Sequence, residues 1–224
     1  MILSKTFQNR SHKYHPISFK FRKMAQEQIQ DRNDLLYNED GKKVRFIKKK
    51  VIVLGEGAVG KTTLLYRYMN GVFLKELKMT IGTDFFTKKL KLVDDKFDNR
   101  VTLLLWDFAG QQRFRFILNE YIKGAECVLL MFERTRYKTM ENLHDWIDML
   151  KEADVWGKPN VDYFLVSTKL DLLEDNPDGI SKEAIEDFQD EIGVHRYYET
   201  SSKTGKGIEK LFKGVINAMV VQDL

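Results

Sequence analysis

The sequence predicts an α/β fold: a six-stranded, mostly parallel sheet with one antiparallel strand and helices on both faces. Three observations carry this. From residue 46 onward, short apolar runs alternate with stretches of helical periodicity, the pattern of strands joined by right-handed crossovers. One pair of strand-like runs is separated only by "DDKFDN" (residues 94–99), too short for a helix, so these two form a hairpin. The pattern fills residues 46–222 and leaves residues 1–45 outside it, which divides the 224-residue chain into an extension and one domain able to bury a core.

The extension is basic. Residues 1–23 carry Lys5, Arg10, Lys13, Lys20, Arg22 and Lys23 and no acid; these six charges exceed the chain's net +4, so the remainder is slightly acidic. A second cluster, Lys42, Lys43, Arg45, Lys48, Lys49 and Lys50, leads into the first strand. The start holds too few clustered apolar residues for a secretory signal, although an acid-free basic segment resembles an organelle transit sequence. We expect a partly disordered arm with weak contact to anionic membrane and no specific nucleic-acid partner. The stretch "AQEQIQDRNDLLY" (25–37) suits a short helix.

The strands are predicted at 48–54, 83–93, 100–106, 126–132, 161–167 and 196–200, and the helices near 60–70, 137–153, 181–191 and 206–219. The three prolines, Pro16, Pro159 and Pro177, all fall outside these elements. No apolar run approaches the roughly 18 residues of a membrane span. Cys127 lies inside "CVLLMF", where a buried, inert thiol is expected; nothing supports disulfides, which points to a reducing, cytoplasmic setting.

Chemistry concentrates first in "GEGAVGKT" (55–62), between a buried strand and a helix. Glycines at 55, 57 and 60 let backbone N–H groups close on phosphates, with Glu56, Ala58, Val59 and Thr63 supplying further backbone, while the helix N-terminus adds positive potential. Lys61 would reach the β- and γ-phosphates, and the Thr62 hydroxyl would bind Mg²⁺. This loop specifies a nucleoside triphosphate but no base. Further on, "STKLD" (167–171) resembles an N-K-x-D guanine-recognition motif. Asp171 would accept from the ring N–H and the exocyclic amine, and Lys169 would lie along the base, with Thr168 in the place of Asn. In "ETSSKTG" (199–205), the region of Ser201 and Ser202 would turn an N–H to the guanine carbonyl, and Lys203 would pack on the other side of the ring.

With these three loops in order, the chain from about Phe46 to Val220 resembles the Ras superfamily of small GTPases and is most similar to its Rab branch, a P-loop NTPase fold. "TIGTDF" (80–85) is close to the first switch "TIGVDF", and "WDFAGQQRFR" (106–115) to the second switch "WDTAGQERFR"; "GAECVLLMFERT" and "ENLHDW" continue the match. The resemblance implies GTP and GDP as ligands, Mg²⁺ as cofactor and a role as a molecular switch of the kind used in vesicle traffic. Phe73 would stack edge-on against guanine. Thr80 would join the metal shell and meet the γ-phosphate, Asp107 would act on the metal through water, Gly110 would sense the γ-phosphate, and Gln111 would position the attacking water. Gln111, Lys61 and Thr80 are thus the catalytic candidates. Effectors, exchange factors and GTPase-activating proteins would bind at about 74–84 and 107–121.

Gly57 leaves room for the attacking water and an incoming arginine, whereas residues 62–79 leave none for an inserted domain that could supply that arginine in cis. Intrinsic turnover of about 10⁻⁴ to 10⁻³ s⁻¹, stimulated by a partner, is therefore expected. Several positions depart from the family pattern: Phe108 replaces Thr, Gln112 replaces Glu, and Glu133 and Arg134 stand where an Asp-hydrophobic pair is usual. These bear on partner recognition, with Phe108, Phe114, Phe116 and Ile117 forming an apolar face for docking or, in part, for the core. The ending "MVVQDL" carries no prenylatable cysteine, so any membrane association would be peripheral and without that anchor. A non-hydrolysing guanine-nucleotide scaffold of the same fold is the alternative function; an ATP-using enzyme is disfavoured by Asp171 and Phe73.

Overall fold

The computed structural model describes residues 37–75, 79–110, 118–173 and 178–220, apart from the side chain of Asn119. Its six strands are β1 (Lys43–Leu54), β2 (Thr83–Val93), β3 (Phe97–Phe108), β4 (Cys127–Glu133), β5 (Asp162–Thr168) and β6 (Tyr197–Glu199). The sheet order is β2-β3-β1-β4-β5-β6, with only β2–β3 antiparallel. The helices are α1 (Lys61–Asn70), α2 (Leu118–Ile122), α3 (Tyr137–Glu141), α4 (Leu143–Glu152), α5 (Lys182–Ile192) and α6 (Ile208–Met219), with a 3₁₀ turn at Leu170–Leu173. Among the described residues no helix is long and apolar enough to cross a membrane.

Alternation along β1 sorts the core into two layers. Ile52 and Leu54 join one cluster with Leu118 and Ile122 of α2, Leu143 and Trp146 of α4 and Phe188 of α5. Val51 and Val53 join the other with Leu64 and Leu65 of α1 and Leu211, Phe212 and Val215 of α6. Side chains of this size stabilise by roughly 1.5–3 kcal/mol each when fully buried. A strand with helices on both faces is apolar at every position, which is why β4 reads as an unbroken run with Cys127 enclosed.

The hairpin tip is Asp94–Lys96, where the Asp94 carboxylate accepts from the Lys96 and Phe97 N–H groups at 2.7 and 2.8 Å and reverses the chain. At the hairpin's open end Thr83 pairs with Phe108, and the Ala109 N–H donates to the Gly82 carbonyl at 2.9 Å.

Two expectations need correction. β1 begins at Lys43 rather than 48, because Lys43–Lys50 pair in register with Phe97–Leu104; β3 is correspondingly longer than 100–106. The helix expected over 137–153 is interrupted at Asn142, whose side chain bonds Glu56 instead of capping α4. Of the two readings left open for the apolar face, Phe108 takes the second: it is fully buried and belongs to the core. Phe114, Phe116, Ile117 and Gln112 lie outside the described residues, as do residues 1–36.

Candidate nucleotide-binding site

The loops after β1, β3, β5 and β6 all open at the C-terminal ends of parallel strands, at the point where β1 sits between β3 and β4 and connections diverge. Ligands of α/β sheets bind there. Gly60 starts α1 at φ 101°, a left-handed conformation, and no side chain caps the helix or adds an acid to its first turn. The N–H groups at the start of α1 therefore remain available to an anion, favoured by the helix dipole. Lys61 is 6% exposed and donates to the carbonyls of Gly55 and Glu56, both at 2.8 Å, which fixes its ammonium against the loop. Gly110 approaches the same loop so closely that a Cβ there would lie 2.2 Å from the carbonyl carbon of Glu56 and 2.3 Å from the Gly57 nitrogen.

A second cluster joins three separate elements. The hydroxyls of Thr62 and Thr80 are 2.9 Å apart, Thr62 donates to Asp107 Oδ2, and Thr80 lies 3.4 Å from the same oxygen. Asp107 is buried, and among the described residues its Oδ1 has no hydrogen-bond partner. Burial raises its carboxyl above the ordinary value, against the pull of the Thr62 hydroxyl and the Lys61 charge. Two hydroxyls and an enclosed carboxylate with an unused oxygen form a set of hard donors suited to a divalent cation such as Mg²⁺.

The third group lies at the ends of β5 and β6. Thr168 is buried and places its hydroxyl 2.6 Å from the Val59 carbonyl and 3.0 Å from that of Phe132, so its single proton serves the phosphate loop or the end of β4. Lys169 adopts φ 56° and donates to Glu133 Oε2 at 2.8 Å. Asp171 accepts from the Ser201 hydroxyl, and Lys203 Nζ lies 3.9 Å from its other oxygen. Ser201 is itself buried and accepts from the Thr204 N–H at 3.1 Å, which shapes the turn.

One cleft of about 750 Å³ unites these parts. Gly57 through Thr63, Phe73, Thr80, Gly110, Thr168, Lys169, Asp171, Ser202 and Lys203 line it. Gly55, Glu56, Asp107 and Ser201 stand behind the lining, holding Lys61, Thr62 and Asp171 in place. Gln111 lies outside the described residues. Sequence reasoning missed Leu74 and Met79, which extend the wall beside Phe73 and Thr80, and it missed Glu133 as the partner of Lys169. That partnership follows from the register Glu133↔Thr168, which sheet topology alone reveals.

The Ras family model matches residues 50–221. The Ypt/Rab-type GTPase ypt7 of Schizosaccharomyces pombe is 38% identical over 176 residues, spanning 78% of this chain and 82% of the relative. Ras-related protein Rab-7a of Dictyostelium discoideum is 36% identical, spanning 78% and 84%, and Ras-related protein RABG3f of Arabidopsis thaliana is 35% identical, spanning 73% and 78%. The cleft at the sheet's divergence point accords with such a match, and the chain belongs to the Ras family, as a Rab-like small GTPase that hydrolyses GTP and acts as a nucleotide-dependent switch.

Proposed function

We propose that the switching cycle runs through the residues gathered at the ends of β1, β3, β5 and β6. The backbone of Gly57 to Thr63 takes the phosphates, and Lys61 turns its ammonium from the Gly55 and Glu56 carbonyls to the β- and γ-phosphate oxygens. Thr62 and Thr80 would hold Mg²⁺ through their hydroxyls and Asp107 would act on it through water; the unused Asp107 Oδ1 supports this. Bound there, the ion neutralises charge on the phosphates. Asp171 selects guanine, Lys169 and Lys203 flank the ring, an N–H near Ser202 meets the carbonyl, and Phe73 closes the edge. Gln111 takes the role of orienting water from the family pattern.

The observation that carries this reading is the convergence of Thr62, Thr80 and Asp107, from the phosphate-loop helix, the first switch and the end of β3. Loss of the γ-phosphate releases Thr80 and Gly110 together and changes the surface that partners read. Effectors and regulators dock across residues 74–84 and 107–121. The aromatic row of Phe85, Trp106 and Tyr121, with neighbouring rings 6.0 and 5.8 Å apart, supports docking there, Phe85 and Tyr121 being exposed. The basic residues 1–23 give the otherwise cytoplasmic protein a weak hold on anionic membrane, and 46–222 is the working domain. Unchanged sedimentation with phosphatidylserine vesicles at low salt after deletion of 1–23 would remove that hold from the account.

The direct test is to purify the full chain without added nucleotide, denature it, and identify what is released by ion-exchange chromatography. GDP near one equivalent supports the guanine assignment of Asp171. ADP or ATP would overturn it.

A further inference from the structure

The end of β4 meets the two base-binding loops. Glu133 is 5% exposed, and its carboxylate is fixed by its chain neighbours: Thr135 donates to Oε1 at 3.1 Å and Arg136 to Oε2 at 2.6 Å. The backbone at this point is fixed as well, with the Glu133 N–H donating to the Thr139 hydroxyl at 2.9 Å and the Arg134 N–H to the Thr168 carbonyl at 3.1 Å. So held, Oε2 receives Lys169 Nζ at 2.8 Å. The next residue, Arg134, lies 3.5 Å from Glu199 at the end of β6, directly before the loop that carries Ser201 to Lys203.

Lys169 needs such a hold. Its φ of 56° is unfavourable for a residue with a side chain and persists only where the surroundings fix it. Its long stem has many rotamers, of which few would lie flat along a purine. Thr168 cannot brace the loop from below as an amide would, because its one proton is committed to a phosphate-loop or strand carbonyl. Burial would push the Glu133 carboxyl up, but the hydrogen bonds from Lys169 and Arg136 outweigh it and hold the group below its usual range, so it is charged at neutral pH.

Resting on the guanine-site reading above, we propose that Glu133 is a positioning residue for nucleotide retention: it anchors the Lys169 side chain against the base and so sets how long guanine nucleotide stays bound. The departure from the family pattern at 133 thus acts on the nucleotide rather than on partner proteins. A role confined to the turn between β4 and α3 would use the contacts to Thr135 and Arg136 and leave Lys169 without consequence.

The experiment is release of mant-GDP, chased with excess GDP in the presence of Mg²⁺, from the full chain as wild type, Glu133→Gln, Lys169→Met and the double variant. Glu133→Gln is expected to speed release about tenfold, and in the Lys169→Met background to add less than about twofold, since the two groups act as one. Equal acceleration in both backgrounds, or no acceleration at all, overturns the proposal. Unchanged release from Lys169→Met alone overturns the guanine-site assignment and this proposal with it, so the two failures are distinguishable. Glu133→Asp, which keeps the charge but withdraws it by one methylene, enters the same cycle should Glu133→Gln fail to fold.

Discussion

The Thr62 hydroxyl donates to Oδ2 of Asp107, 45 residues further along, and so joins the first turn of α1 to the end of β3 at a carboxylate enclosed by the core. Burial raises that carboxyl above its ordinary value near 3.8, so the folded chain binds the proton more tightly than the unfolded one. Its contribution to stability is therefore most favourable below about 3.8, declines as pH climbs through the raised value, and stays at its minimum above it. In EDTA with excess GDP at pH 7, Asp107→Asn should melt about 2–4 °C above wild type, equivalent to about 1 kcal/mol in a domain of this size. The gap should close toward pH 4 and reverse in Mg²⁺, where only wild type gains from the metal. Thermal melts across pH with and without Mg²⁺ check all three outcomes.

Asp171 offers two acceptor oxygens to the cleft end of the 3₁₀ turn. Asp171→Asn replaces one of them with a donor, which suits the second ring carbonyl of xanthine and opposes the exocyclic amine of guanine. Affinity for GDP should fall by about 10²- to 10⁴-fold, two charge-assisted hydrogen bonds at about 1.5–3 kcal/mol each. Affinity for XDP should rise. Competition of both nucleotides against a fluorescent analogue measures the exchange.

Thr168 brings its side-chain proton within reach of the Val59 carbonyl, 2.6 Å from its hydroxyl oxygen. Thr168→Ala leaves that buried acceptor without its donor, at a cost of about 1–3 kcal/mol. GDP release should accelerate about tenfold, through the phosphate loop and not the base, so the preference for GDP over IDP should stay as in wild type. Dissociation rates for both nucleotides read the two effects separately.

A side chain at position 110 would strike the backbone of Glu56 and Gly57, which cannot move aside as a side-chain tip can. Gly110→Ala should therefore keep the second switch away from the phosphate loop. GDP affinity is expected to stay within about threefold of wild type, the scatter of a substitution outside the contact. The fluorescence change of Trp106 between GDP-bound and GTP-bound protein should be lost.

Hydrolysis by the isolated chain should proceed at about 10⁻⁴ to 10⁻³ s⁻¹ and rise by about 10³-fold or more with an activating protein that supplies an arginine. Single-turnover phosphate release gives the number. A value near 1 s⁻¹ without a partner would mean that the chain carries its own stabilising charge.

Where a feature lies within one stretch of chain, its place is legible in the sequence. The glycine-rich loop stands out because a buried strand, glycines and a lysine follow one another, and β2 is placed to the residue, its burial alternating from Phe85 to Val93. Errors arose where partners are remote in sequence. The basic start of β1 reads as a linker until its pairing with β3 is known, and Phe108 could stand on a docking face or in the core until the layer of Leu118 and Trp146 is seen to enclose it. α2, with five residues, is too short to produce a period. The bond from the Thr168 hydroxyl to the Val59 carbonyl, 109 positions earlier in the chain, is equally hidden in the sequence, as is that between Lys169 and Glu133.

The rung between Gly82 and Ala109, beside the Thr83–Phe108 pair, roots both switch segments on adjacent strands of one hairpin. Whatever loosens one root strains the other, so the two segments carry a single message between them. A partner that touches only the first learns what it would have learned from the second, and the protein signals one bit, protected by redundancy, rather than two that could disagree.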